Sequence, residues 1–283
     1  MIVAGTGNNG ADNIHTSGSI SDGEVQELEF AISPFEPGLN IQFWKSYADQ
    51  IEILLEDPSG MRIGPLAEQL GTQRYRLGDT ELLIYYGKPG PYQVTQEIYF
   101  DFLPVRNYVD SGVWKLILRG VRTSRGRYDL WMPGGNVLNP NTGFFFPIPS
   151  GTLTIPSAAS AVLTTAAYDA DTDSYADFSG RASATLTPGK PDLAAPGVDI
   201  ITTSTNGGYT AVTGTSFATP FVTGASVLMM EWGIIQDNDP FLFGQKVKAY
   251  LHRGARPLRG FTDYPNTAVG YGALCLRNSL EMV

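Results

Sequence analysis

The residues equipped for chemistry are one serine, a pair of asparagines, two histidines and an aspartate. Ser216 stands in Gly214-Thr215-Ser216, directly ahead of an apolar run from Phe217 to Trp232. Gly214 permits backbone angles or a close approach that other residues resist. Thr215 and Ser216 are of the types that begin helices. The run is apolar nearly all round, which predicts a buried helix. A serine at its amino end meets free N–H groups and the positive end of the helix dipole. That setting suits a nucleophile whose reaction passes through an oxyanion. The same residues also satisfy the plainer role of capping a helix.

A second element is needed to hold such an oxyanion. Gly5-Thr6-Gly7-Asn8-Asn9-Gly10 follows a short apolar strand, Ile2 to Ala4. The loop has the glycines and asparagines that take positive φ, and an asparagine amide there is a potential donor to an oxyanion. A base is harder to find. The chain has two histidines, His15 and His252. His15 reads as a loop or pocket-rim residue, and His252, beside Arg253 in a short amphipathic helix, as a surface or packing residue. Asp192, in Lys190-Pro191-Asp192-Leu193, is the aspartate that invites assignment as a triad acid.

Three textures run along the 283 residues, enough for one large or two ordinary domains. From about Glu24 to Pro147, period-two alternation recurs in seven or eight short segments, such as Leu28, Phe30 and Ile32. Turns at Asp57-Pro58-Ser59-Gly60, Gly87-Lys88-Pro89-Gly90, Asp110-Ser111-Gly112 and Pro133-Gly134-Gly135 separate them. This predicts an antiparallel sandwich or jelly roll with solvent-facing acids. On either side lie glycine-rich loops, a buried strand over 161–168 and helices at 217–232, at 245–252 and at the end. The net charge of −9 argues against a nucleic-acid partner and supplies no basic membrane patch. A single cysteine, Cys275, rules out an internal disulfide framework and reads as a buried thiol. No apolar run is expected to reach membrane-spanning length.

Gly214-Thr215-Ser216-Phe217-Ala218-Thr219-Pro220 resembles the serine motif of the subtilases, the subtilisin-like serine peptidases. All fixed positions of that pattern are present. Gly7-Asn8-Asn9-Gly10 resembles the family's oxyanion string, with Asn9 where the family has Glu. Phe178-Ser179-Gly180-Arg181 and Lys190-Pro191-Asp192-Leu193-Ala194-Ala195-Pro196-Gly197 resemble later family strings in the right order. The resemblance implies that Ser216 is the nucleophile and Asn8 the oxyanion donor. It implies that Gly5, Thr6 and Gly7 wall the pocket for the substrate side chain before the cut. It also makes Asp192 structural rather than catalytic. The interval between loop and serine is similar to that of the Csp-type subtilases of spore-forming anaerobes, which carry a jelly roll there. The family is often exported or spore-associated; no compartment follows for this chain.

The expected fold is therefore α/β: a partial subtilisin-like parallel sheet with helices, carrying an inserted antiparallel β jelly roll or sandwich. Residues 1–22 and 148–283 would form the C-terminal part of the catalytic domain, and 23–147 the insert. No metal or cofactor site is assigned. The family's triad Asp and His strings, which precede the oxyanion loop, have no counterpart here. Met1-Ile2-Val3-Ala4 opens in mid-strand without a signal peptide, as the later portion of something longer would. The expected activity is that of a serine endopeptidase on protein or peptide substrates. Alone, the chain would be inactive or very weakly active. The expected partner is the missing N-terminal segment, or another chain covering an exposed sheet edge. The alternative is an inactive subtilase-like interaction or scaffold protein.

Overall fold

The computed structural model describes residues 1–88, 90–134 and 137–281. It divides into two compact units, Met1–Ala11 with Pro149–Val283, and Asp12–Ile148. The chain opens with β1 (Val3–Gly5) in the first unit, then passes into the second.

The second unit is a sandwich. Its strands are β2 (His15–Ser19), β3 (Val25–Ile32), β4 (Leu39–Ser46), β5 (Gln50–Glu56), β6 (Arg62–Ile63), β7 (Gly71–Leu77), β8 (Thr80–Tyr86), β9 (Thr95–Pro104), β10 (Gly112–Arg122), β11 (Arg127–Trp131) and β12 (Gly143–Phe144). They form a five-stranded sheet, β12-β3-β10-β5-β6, and a six-stranded one, β2-β11-β4-β9-β8-β7. Alternation does what it should: Leu39, Ile41 and Phe43 of β4 point inward, as do Ile98, Phe100 and Phe102 of β9. Both sheets contribute to one apolar core around Trp114. The turns proposed at Gly87-Lys88-Pro89-Gly90 and Pro133-Gly134-Gly135 fall partly outside the described residues.

The boundary differs from the one expected. Strand β2 pairs with β11, Trp131 opposite His15, so the sandwich begins at Asp12 and not after residue 22. His-Thr-Ser-Gly-Ser carries no apolar alternation, which is why it reads as a loop. His15 is correspondingly not a loop or rim residue. It is 1% exposed, stacked on Trp131, with Nε2 3.3 Å from Asp129 Oδ1.

The first unit resumes with β13 (Leu163–Asp169), β14 (Ser174–Tyr175), β15 (Leu193–Pro196), β16 (Ile200–Thr203) and β17 (Tyr209–Val212). Three helices follow, α1 (Thr215–Met230), α2 (Gln245–Gly254) and α3 (Leu276–Leu280). Strand β13 is central and parallel to both β1 and β15. Its side chains are buried from Leu163 to Tyr168, as a parallel strand covered on both faces requires. One face receives Ala218, Val222, Ala225 and Met229 of α1; the other packs on Leu258, Val269 and Ala273.

Helix α1 departs from the sequence reading. It is not buried all round: Phe221 is 43%, Val227 54% and Leu228 51% exposed. A π-helical turn continues it to Ile235, itself 78% exposed. The 21 residues Thr215–Ile235 are long and apolar enough to cross a membrane by length and composition, against the expectation from the sequence. The face that carries Ala218, Val222, Ala225 and Met229 packs on the sheet. Cys275 is half-buried rather than buried.

Asp192, at the entry to β15, ties sheet to helix. Its carboxylate accepts from the Thr164 N–H at 2.7 Å and from Lys190 at 2.9 Å, with Lys248 at 2.7 Å and His252 at 3.1 Å. Burial alone would raise this carboxyl. The hydrogen bonds from His252, Lys248, Lys190 and Thr164 outweigh it and hold it down to about 2. Because the folded carboxyl is depressed, its contribution is complete above the unfolded value near pH 4. It is lost as pH falls toward 2. Asp192→Ala should therefore cost about 3–5 kcal/mol at neutral pH, by stranding buried cations. In thermal melts, the gap between variant and parent should narrow as pH drops from about 4 toward 2.

Candidate active site

Strand β1 runs out at Gly5 and hands the chain to the loop at residues 6–10. Thr6 N–H donates to Thr165 O at 3.0 Å and Gly10 N–H to Phe178 O at 2.8 Å, so the loop is anchored at both ends. Thr6 is buried and its hydroxyl lies 2.9 Å from Ser179 Oγ. Between the anchors, Gly7 has φ +94, a conformation that favours glycine. Its carbonyl accepts from Gly180 N–H at 3.0 Å. The Phe-Ser-Gly-Arg stretch thus cradles the loop from below.

The serine helix meets this loop directly. Gly214, at φ +153, precedes α1 and leaves its own side-chain space empty. A Cβ there would come 3.1 Å from Asn8 Nδ2, closer than carbon ordinarily tolerates. Into that space comes the Asn8 carboxamide. Asn8 Oδ1 accepts the Thr215 N–H at 2.9 Å and the Thr215 hydroxyl at 3.0 Å. The helix therefore has a cap, supplied by a residue 207 positions earlier in the chain. The Thr215 hydroxyl also accepts the Gly7 N–H at 3.2 Å. With Oδ1 doubly engaged, the amide orientation is fixed and Nδ2 faces away from Thr215. Among the described residues, Nδ2 donates to no protein acceptor.

Ser216 is the next residue. It is exposed and in the first turn of α1, where backbone N–H groups have no partner within the helix. Pro220 lacks the N–H that would bond the Ser216 carbonyl four residues back. Among the described residues its hydroxyl makes no hydrogen bond. Neither histidine serves it: His15 is held by Asp129, and His252 pairs with Asp192 and stacks on Tyr271 at 4.0 Å. No cluster of three or more His, Cys, Asp or Glu suited to a metal occurs among the described residues.

Of the sequence candidates, the structure brings Gly5, Thr6, Gly7 and Asn8 to the start of the Ser216 helix. In the sequence Thr215 reads as a generic cap residue. Its double role, bonding both Gly7 and Asn8, has no signature in the sequence because its partners lie more than two hundred residues away.

A parallel sheet with a serine-bearing helix and an asparagine loop at its end defines a subtilisin-like α/β unit with extra antiparallel sheets. The model of the subtilase family matches residues 130–272, about half the chain, and the chain belongs to that family. It superposes on the CspB protease of Clostridium perfringens with a TM-score of 0.93 and 32% identity, over 100% of this chain and 59% of that one. It is 30% identical to the serine protease AprX of Bacillus subtilis over 151 residues, 46% of this chain and 32% of that protein. A PII-type proteinase of Lactococcus lactis subsp. cremoris is 38% identical over 69 residues, 24% of this chain and 4% of the proteinase. The chain thus spans less than two thirds of each of these relatives.

Thr215→Val keeps the shape but removes the hydroxyl that joins Gly7 and Asn8. Losing these two half-buried hydrogen bonds, while Asn8 Oδ1 keeps the Thr215 N–H, should cost about 0.5–1.5 kcal/mol. The Gly7 amide should lose protection in hydrogen exchange, while amides of the sandwich core, such as Phe100, exchange as before.

Proposed function

We propose that this chain is the nucleophile-bearing part of a subtilisin-like serine endopeptidase. The observation that carries the reading is the Asn8 carboxamide. Its oxygen is locked by the Thr215 N–H and hydroxyl, and its NH2 is left unpaired next to Ser216. In the reaction, Ser216 Oγ attacks the peptide carbonyl. Charge that develops on the carbonyl oxygen is met by Asn8 Nδ2 and the Ser216 N–H, donors fixed before the substrate arrives. Gly5, Thr6 and Gly7 wall the pocket for the side chain before the cut. The hydroxyl proton needs a base, and no residue described here offers one to Ser216. Loss of the base in subtilisin costs on the order of 10⁶ in kcat. The chain alone is therefore inactive or nearly so.

The partner implied is a segment that carries the base and its orienting acid. Two features fit it. Strand β1 pairs only with β13 among the described residues, which leaves one edge open for a further strand. Helix α1 presents Phe221, Val227 and Leu228 to solvent. Phe221 also lines an open, mostly apolar pocket of about 280 Å³ between β16 and α1, with Ile200, Ile201, Thr202, Phe217 and Pro220. An added strand would extend the sheet at β1, and its segment would bring the base to Ser216. The substrate is a protein or peptide; a nucleic-acid partner is disfavoured by the −9 charge.

One observation favours a second reading. The unengaged Ser216 hydroxyl and the commitment of both histidines to aspartates are also what an inactive scaffold protein would have. A fluorophosphonate probe separates the two. The chain alone should label slowly. Mixed with a subtilase N-terminal segment bearing the triad Asp and His, it should label at Ser216 at least about 10³-fold faster. Ser216→Ala should abolish the signal. Absence of labelling in the mixture, once binding is verified by size exclusion, supports the scaffold.

A further inference from the structure

We propose that the outer face of the six-stranded sheet is a docking site for an extended peptide segment whose arginines are spaced to meet Glu97 and Asp101. The site belongs to the sandwich and stands independently of the peptidase reading.

Strand β9 alternates strictly. Gln96, Ile98, Phe100 and Phe102 point into the sandwich, so Glu97, Tyr99 and Asp101 share the opposite face. Strand pairing fixes their neighbours. On β4, Trp44 stands opposite Glu97, Gln42 opposite Tyr99 and Asn40 opposite Asp101. On β8, Tyr85 stands opposite Tyr99, and the two rings lie 6.2 Å apart at 59°. Burial raises the Tyr99 phenol, and the charges of Asp101 and Glu97 raise it further, so both carboxylates are felt at this ring.

These two carboxylates are exceptions in the sandwich. On its other strands Glu27 and Glu29 pair with Lys115, Glu52 with Arg119, Glu56 with Arg62, Glu81 with Arg74 and Asp129 with Arg127. Among the described residues, neither Glu97 nor Asp101 has a basic partner or a side-chain hydrogen bond, although both are half-buried. Burial raises both carboxyls, and no donor lowers them. The Trp44 indole N–H, the Tyr85 and Tyr99 hydroxyls and the amides of Asn40 and Gln42 also make no hydrogen bond among the described residues.

Two uncompensated carboxylates among aromatic rings are complementary to a cation with a flat apolar face. A guanidinium forks onto a carboxylate and stacks on a neighbouring ring at once. Trp44 beside Glu97 offers both contacts. Glu97 and Asp101 are four residues apart on one strand, a span of about 13 Å. An extended peptide has the same rise, so arginines four positions apart meet the two carboxylates while the residue midway lies over Tyr99. The free amides and hydroxyls of the face serve the peptide's own polar groups. An anionic partner would add like charge to carboxylates that already lack a counter-charge.

Isothermal titration calorimetry on the full chain at low salt tests the site. The probe is a short polythreonine peptide with arginines four positions apart. It should bind, with an affinity that falls as salt rises. A peptide of the same composition with adjacent arginines should bind at least about 3-fold more weakly, because one carboxylate is left unmet. Glu97→Gln combined with Asp101→Asn keeps the shape and should weaken the spaced peptide at least about 5-fold. Glu97→Gln alone, with a loss of about 2-fold, serves if the double variant does not fold. Trp44→Leu should weaken binding about 3-fold. Glu81→Gln, at a carboxylate already paired, should leave it within about 2-fold. Unchanged affinity in folded Glu97 and Asp101 variants overturns the proposal, as does equal binding of the two peptides. A parent that binds neither peptide overturns it too; if it takes a neutral oligosaccharide such as cellohexaose instead, the face is a sugar site. None of these outcomes bears on Ser216.

Discussion

The first unit turns on one carboxamide oxygen. Asn8 Oδ1 takes the first N–H of α1 and the Thr215 hydroxyl, and so joins the end of the opening strand to the start of the serine helix. A Cβ at Gly214 would crowd the carboxamide at 3.1 Å, and the φ of +153 there also favours glycine. Thr215 must carry a hydroxyl for the Gly7 N–H to be met. The same contact that caps the helix turns the amide NH2 outward. Structural satisfaction of the helix end and presentation of a hydrogen-bond donor are thus a single geometry. An apolar residue at position 8 would lose both together.

The two histidines carry a related lesson about buried charge. Each sits against a carboxylate, and each carboxylate is held by further donors: Asp129 by Arg127, and Asp192 by two lysines and the Thr164 N–H. In both cases burial raises the carboxyl and the donors lower it, with the donors prevailing. Such groups are tempting as catalytic pairs, since His beside Asp is what a triad contains. What separates them from a triad is that neither histidine has a nucleophile on its second nitrogen. His15 Nδ1 lies 3.1 Å from the Ile148 carbonyl, and His252 is stacked on Tyr271.

Legibility followed the range of the signal. Most of the sandwich strands declare themselves by alternation, because one face of each looks into a core and the other does not. Strands β2 and β7 do not: His-Thr-Ser-Gly-Ser and Gly-Thr-Gln-Arg-Tyr-Arg-Leu have too few inward apolar positions to reveal a period. They are edge strands of their sheet, where only one neighbour fixes them. That gap moved the unit boundary by about a dozen residues. The apolar character of α1 was legible too, yet burial is not a property of a helix. It depends on what else is there to cover it, and Phe221, Val227 and Leu228 remain in the open.

The sequence alone determined the family strings, the alternation of the sandwich, and the presence of a serine and an asparagine fit for acyl chemistry. These are local: each is written in fewer than a dozen consecutive residues. Tertiary structure alone decided that Asn8 meets Thr215, that Thr154 fills the space beside Gly7, and that His15 belongs to a strand. Each of these joins residues more than a hundred positions apart. The first two come from the parallel pairing of β1 with β13 and the return of the chain after the sandwich, the third from the antiparallel pairing of β2 with β11. No spacing along the chain encodes a contact made by folding two distant segments onto the same central strand.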